Sequence, residues 1–295
     1  MAHNFKFSLI PPLKREFLST MLQFEIVEDK CTKCGLCAKD CPVLVINLDS
    51  GYPAISPERA RNCIGCQHCL AICPTAALSI LGRDPHQSQP LAGNFPVPEQ
   101  LETLIRGRRS VRHYQDENLR PELLQQLLDV AWQAPTGVNM RQVQFTVIDD
   151  RQALAKFREE TYAELAALIK AGQLPEKHAQ FGQFVKLWQE KGIDVLFRRA
   201  PHLLVASVPR NCPTPMADGL IALAYFELFA QNLGVGTVWN GLVKWAIDEL
   251  VPELRERLGI PEDHRIGYVM AFGKPAVHYQ RTIDHGPAKI VYSRP

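Results

Sequence analysis

The chain has 295 residues, with 33 Lys and Arg against 31 Asp and Glu for a formal net charge of +2, and 46% of its residues are hydrophobic. So small a charge gives no electrostatic case for binding nucleic acid, while the length allows more than one packed core. The most apolar segment, residues 220 to 230, is too short for a membrane span and is interrupted by Glu227.

Residues 1–23 read as an N-terminal extension. Phe5, Phe7, Leu9, Ile10, Leu13, Phe17 and Leu18 sit among basic residues, but the Pro11-Pro12 pair breaks any helix there. An upstream start codon or a short docking segment accounts for this stretch. It has no continuous apolar run of the secretory type, so a cytoplasmic protein is expected. Met21 opens MLQFEIVEDKC, which has the pattern of a first strand leading into Cys31.

Eight of the nine cysteines fall into two copies of one spacing. Cys31-x2-Cys34-x2-Cys37-x3-Cys41-Pro42 is repeated 32 residues on as Cys63-x2-Cys66-x2-Cys69-x3-Cys73-Pro74. This is the ligand pattern of two cubane iron–sulfur clusters, in which the fourth cysteine of each run crosses to the other cluster. Cys31, Cys34, Cys37 and Cys73 are thereby assigned to one 4Fe-4S cluster, and Cys63, Cys66, Cys69 and Cys41 to the second. A disulfide framework would need an oxidising compartment. Zinc sites usually separate their Cys-x2-Cys pairs by a longer gap. Thiolates so close in sequence converge only if the backbone coils tightly, which suits Gly35, Ala38, Gly65 and Ala71. The repeat extends past the cysteines into a Cys-Pro step and an apolar run, as in a duplicated half-ferredoxin. Residues 24–81 are therefore expected to form a two-cluster ferredoxin-type domain. Residues 24 to 85 carry six basic and seven acidic side chains, so charge identifies no partner.

Residues 82–98 contain Pro85, Pro90, Pro96 and Pro98 without apolar periodicity and read as an extended linker. Residues 99–295 form a second domain. Leu101, Leu104 and Ile105 have helical spacing, as do Leu123, Leu124, Leu127, Leu128, Ala131 and Trp132 after Pro121. Residues 145–148, 203–206 and 268–271 read as strands, and 151–170, 176–191 and 217–233 as helices. The last is apolar on most of its circumference and is expected to be buried in a subunit interface. The regular strand–helix alternation and glycine turn of a doubly wound fold are absent. The expected class is α+β, with a mixed sheet flanked by helices.

A second constellation is Arg106-Gly-Arg108-Arg109-Ser110-Val111-Arg112. Four arginines in seven residues can form a solvated basic face. Here they follow a helix end and a turn glycine, and guanidinium forks bind phosphate oxygens bidentately, with serine as a further donor.

On these residues the chain resembles the nitroreductase family of flavin enzymes, whose first helix ends in an Arg-Arg-Ser-x-Arg run that grips the FMN phosphate. Ala134-Pro135-Thr136-Gly137-Val138-Asn139 is similar to the family's Ala-Pro-Ser-x-x-Asn turn at the flavin edge. Leu233 through Trp239-Asn240-Gly241 is similar to the segment whose backbone faces the flavin ring. Gly267 to Pro275 matches the closing strand and turn, after which Arg281 stands as a further phosphate ligand. With the cluster module in front, residues 24 to 291 resemble the ferredoxin-fused nitroreductases. The chain departs from the family pattern at Met140-Arg141-Gln142-Val143, where relatives often have x-Gln-Pro-Trp, and at His285-Gly286-Pro287, where they often have Arg-Lys-Pro.

The resemblance implies a homodimer carrying FMN. Its two clusters take electrons from a low-potential donor such as ferredoxin or a reductase, and hydride passes from the flavin to a small organic acceptor: a nitro compound, a quinone or an activated alkene. Two other readings remain. FMN oxidises a substrate and the clusters export electrons, or the chain is a non-catalytic electron-transfer or redox-sensing subunit. No Ser-His-Asp arrangement or metal-binding histidine pair is evident, and Cys212 reads as a spare thiol. Anaerobically prepared protein is expected to hold about eight irons and eight acid-labile sulfides per chain. Metal and sulfide analysis checks this, and tightly bound zinc without sulfide is the contrary result.

Overall fold

A computed structural model describes residues 22–295, so the expectations for the N-terminal extension up to Met21 lie outside the described residues. The chain divides into two compact units. One contains the described residues up to Phe95 together with Thr136–Arg141; the other contains Pro96–Pro135 and Gln142–Pro295.

In the first unit, strand β1 (Glu25–Ile26) precedes the first cysteine run and β2 (Leu78–Ser79) follows the second. They pair antiparallel, with Glu25 opposite Ser79, which closes the duplicated segment into a ring. Between them lie three one-turn helices, α1 (Leu36–Lys39), α2 (Pro57–Ala60) and α3 (His68–Ala71). The duplication is visible in the backbone as well as the sequence. Lys33 and Gly65, Gly35 and Gln67, and Leu44 and Ala76 are three pairs of equivalent positions, and all six residues have left-handed φ between 51° and 71°. Only two of the six are glycines, so in each copy side-chain-bearing residues accept a conformation that costs them energy. Leu22, Val45, Ile46, Leu70, Leu78 and Ile80 close the core around the buried Cys37, Cys41, Cys63 and Cys69. The linker contains one folded element, a 3-10 turn at Pro85–Gln87, where the Asp84 carboxylate accepts from His86 N at 2.9 Å.

In the second unit, α4 (Pro98–Gly107) and α5 (Pro121–Ala131) each start on a proline, as the sequence predicts. A four-stranded sheet follows in the order β3-β4-β6-β5. Its strands are β3 (Gln144–Ile148), β4 (His202–Pro209), β5 (Gly236–Trp239) and β6 (His264–Gly273). All three ladders are antiparallel, and parallel pairing is confined to one isolated bridge, Ser110 to Thr237. The sheet is therefore antiparallel where the sequence suggested a mixed one. β5 has no strand signal in the sequence, because its four residues are too few to show alternation.

Helices α6 (Arg151–Lys170) and α7 (Gln180–Lys191) match the two predicted helices. Asp150 caps α6 by accepting from Gln152 N and Ala153 N, both at 2.9 Å, and left-handed Gly192 ends α7. α8 (Pro215–Asn232) buries Gly219, Ala222, Leu223, Phe226 and Ala230, whereas Ile221, Ala224 and Leu228 are half-buried and Tyr225 is 41% exposed. Within one chain this apolar helix is thus fully covered on one face only. Residues 241–257, unassigned from sequence, form α9 (Gly241–Trp245), a π-helical turn (Ala246–Leu250) and α10 (Glu253–Arg257). Among the described residues no helix is long and apolar enough to cross a membrane.

α8 meets β6 where two glycines face each other. A Cβ on Gly267 would stand 2.9 Å from the Gly219 Cα, a backbone atom that cannot yield alone. Gly267→Ala is expected to force the helix off the sheet and to cost about 1–3 kcal/mol by overpacking. A lowered urea midpoint with an unchanged slope checks it.

Candidate functional site

Two cavities of the first unit are lined by cysteines, one by Cys31, Cys34, Cys37 and Cys73 and the other by Cys41, Cys63, Cys66 and Cys69. Each run thus contributes three cysteines to one cavity and its fourth to the other. None of the cysteines is in a disulfide. Two thiol quartets, each drawn from both cysteine runs, fit a pair of cubane clusters.

Burial also acts on the thiols. It pushes the Cys69 thiol up to about 12, with Cys63, Cys66 and Cys41 adding repulsion. Burial likewise raises Cys63 and Cys66, each with Cys41 as a charged neighbour, and raises Cys37, with Cys34 and Cys73 as its neighbours. A bound iron centre would oppose these shifts, because a coordinating thiol is deprotonated. Cys34, just before α1, is lowered instead, mainly by the Leu36 backbone N–H. Backbone donors also reach sulfur directly: Gly65 N donates to Cys63 Sγ at 3.4 Å and Ala77 N to Cys73 Sγ at 3.3 Å.

In the second unit the arginine run begins where α4 ends, with Arg108 just past the last turn. Arg108 Nη1 pairs with Glu227 Oε1 at 3.1 Å, which explains the carboxylate amid the apolar residues of α8. Glu227 is buried and also accepts from Thr237 Oγ1 at 3.4 Å. Arg106 pairs with Glu102 one turn back. The guanidinium groups of Arg109 and Arg112 donate to the backbone carbonyls of Arg106 and Ser110. Arg109 Nε is buried without a hydrogen-bond partner. An orphaned buried guanidinium nitrogen in a run with more cations than carboxylates fits a phosphate dianion. Ser110 is held beside β5 by its bridge to Thr237, and Val111 N donates to Thr237 O at 2.8 Å. Arg281 is exposed and lines a groove with Gly107, Val111, Gly236 and Tyr279.

The remaining predicted residues are placed less uniformly. Asn240 is committed to the fold: its Oδ1 accepts from Val243 N at 3.0 Å, capping α9, and its Nδ2 donates to Leu196 O at 2.9 Å. Trp239 packs edge-on against Tyr268, and Gly241 leaves room for the Tyr268 hydroxyl, which a Cβ would meet at 2.9 Å. Pro135 is exposed in the second unit, but Thr136 and Asn139 belong to the first. There Thr136 Oγ1 accepts from Arg141 N at 3.0 Å, and Asn139 Nδ2 donates to Ile64 O at 2.9 Å.

One network had no sequence signal. Asp194 is buried in the segment between α7 and β4, paired with Arg158 of α6 at 3.0 Å. It accepts from the Tyr162 hydroxyl at 3.1 Å and from Phe197 N and Arg199 N at 2.9 and 2.8 Å. It fixes the segment whose Leu196 carbonyl receives Asn240. Its members are scattered single residues in segments of ordinary polarity.

Two thiol quartets ahead of an α+β domain with a phosphate-type arginine run define an electron-transferring oxidoreductase. The Nitroreductase family model matches residues 105–274, and a 4Fe-4S dicluster domain model matches residues 30–78. The chain belongs to the nitroreductase family of flavin oxidoreductases, with a 4Fe-4S dicluster domain in front of the family domain. A relative from Methanothermobacter thermautotrophicus named NADH dehydrogenase/NAD(P)H nitroreductase is 29% identical over 177 residues, covering 58% of this chain and 75% of the relative. One of the same name from Archaeoglobus fulgidus is 28% identical over 181 residues, covering 60% and 86%. Among solved structures, an FMN-bound nitroreductase from Desulfitobacterium hafniense has a TM-score of 0.52 at 25% identity and covers 68% of this chain and 100% of its own. An FMN-bound nitroreductase from Bacteroides fragilis shares the fold, with a TM-score of 0.53 at 24% identity, covering 66% and 100%.

Proposed function

We propose that the protein takes electrons through two 4Fe-4S clusters and uses FMN to reduce a small organic acceptor: a nitro compound, a quinone or an activated alkene. The observation that carries this reading is the joint presence of two crossed thiol quartets and an arginine run with an orphaned buried nitrogen. The clusters supply one-electron transfer, and bound FMN supplies hydride transfer at its ring.

The chain's own residues hold and orient. Cys31, Cys34, Cys37 and Cys73 ligate one cluster and Cys41, Cys63, Cys66 and Cys69 the other. Arg108, Arg109, Ser110 and Arg112 grip the phosphate, with Arg281 as a further cation. Pro135, Thr136 and Asn139 border the flavin, and the backbone of Trp239, Asn240 and Gly241 faces its ring. Glu227 takes one edge of Arg108 and leaves its other N–H groups for phosphate oxygens. The clusters draw on a low-potential donor such as ferredoxin or a reductase. The apolar side of α8 left half-covered in one chain supports a homodimer, in which Ile221, Ala224, Tyr225 and Leu228, neighbours at helical spacing, meet a second copy.

Arg112 gives a cleaner test than Arg108, because removing Arg108 also strands the buried Glu227 carboxylate. Arg112→Ala is expected to weaken FMN binding by about 1.5–3 kcal/mol, roughly ten- to a hundredfold, with both clusters retained. Cys66→Ala is expected to lose one cluster and donor-driven turnover while FMN stays bound and reducible by a chemical donor. FMN titration, iron analysis and light scattering of the flavin-loaded protein read these outcomes. Unchanged FMN affinity in Arg112→Ala, or flavin loss from folded Cys66→Ala, contradicts the assignment of roles.

A further inference from the structure

One peptide group in the first unit is engaged at both ends. The peptide joining Ile64 to Gly65 lies between the first two cysteines of the second run. Its N–H, on Gly65, donates to Cys63 Sγ at 3.4 Å, and its C=O, on Ile64, accepts from Asn139 Nδ2 at 2.9 Å. Asn139 is far away in sequence, in the turn Thr136–Arg141 that the fold assigns to this unit. It is half-buried and held at φ 55°, a left-handed conformation that Asn tolerates better than most side chains. A peptide that accepts a hydrogen bond at oxygen becomes a stronger donor at nitrogen, because each bond polarises the next. The chain of donors runs from the Asn139 amide through one peptide to a sulfur lining the second cavity.

We propose that Asn139 is a positioning residue for the second cluster, setting the reduction potential of the cluster held by Cys41, Cys63, Cys66 and Cys69 through the Ile64–Gly65 peptide. Hydrogen bonds to ligand sulfur withdraw negative charge and favour the reduced form, so they raise a cluster's potential. The partial positive charge of the Asn139 amide acts in the same sense. The sulfurs lining the first cavity receive local backbone donors, Ala77 N at Cys73 and Leu36 N at Cys34, which lie within four residues of the sulfur they serve and give Asn139 no comparable route to that cluster. The two clusters, built on repeats of one cysteine spacing, are thereby made unequal by a residue from outside the repeat. The inference rests on the cysteines holding clusters and does not require the flavin reading.

The test is an anaerobic potentiometric titration of both clusters, followed by their electron paramagnetic resonance signals, in the native protein and in Asn139→Gly and Asn139→Asp. Glycine keeps the left-handed backbone and removes the donor. Aspartate is isosteric, removes the donor and adds negative charge. One of the two cluster potentials is expected to move to more negative values, further for Asp than for Gly, while the other stays in place. Cys34→Ser and Cys66→Ser, which disturb the first and second sites respectively, identify which signal moved. If Asn139→Gly loses its circular dichroism spectrum, Asn139→Asp carries the test. Potentials that do not move, that move together, or that move at the first cluster overturn the proposal while the cluster reading stands. Native protein without iron and sulfide overturns both.

Discussion

Four sulfurs can surround one soft metal centre only if the chain between them turns back on itself repeatedly, and most of the first unit derives from that demand. The three left-handed positions of each cysteine run, separated by the same 32 residues as the cysteines, are its backbone imprint. Glycine meets it without strain at 35 and 65, whereas Lys33, Gln67, Leu44 and Ala76 meet it at a cost that ligation must offset. The cost is shared differently in the two copies, since glycine and a larger residue exchange places between positions 33/65 and 35/67. What the duplication preserved was conformation more than side chain.

The second unit is organised by a different constraint, the placing of charge beside an apolar core. Glu227 lies in the helix that packs on the sheet, and a lone carboxylate there would be expensive. Arg108 pairs with it, which anchors the arginine run against α8 and β5. A charge that looked like an interruption of an apolar helix is thus what orients the cationic run. Asp194 does comparable work elsewhere in the unit, joining α6 to the segment that receives Asn240.

The cysteine spacing, the arginine run and the long helices were legible in the sequence because each is written in contiguous residues with a fixed period or spacing. β5 escaped, since Gly236 and three further residues cannot display a two-residue period, and the antiparallel sense of the sheet is a long-range property that strand patterns do not encode. The short helices from Gly241 to Arg257 had no apolar stripe long enough to count. At the site, Asn240 stands out in the sequence for its neighbourhood, yet its side chain caps a helix and holds a loop. The placing of Asn139 against Ile64 was invisible for a simpler reason: nothing in a chain of letters says that residues 75 positions apart share a hydrogen bond.

That contact bears on how such a protein can be taken apart. The change of composition after Gly82 invites a cut near Phe95, and a shortened chain starting there would keep Asn139 while discarding the carbonyl to which it donates. The cluster module is therefore not a detachable cassette, because its accounting of polar groups includes six residues encoded downstream of the linker. A free-standing flavin domain of the same fold has to satisfy the corresponding amide in another way. Grafting the cysteine module onto an unfused relative would require replacing the turn along with it.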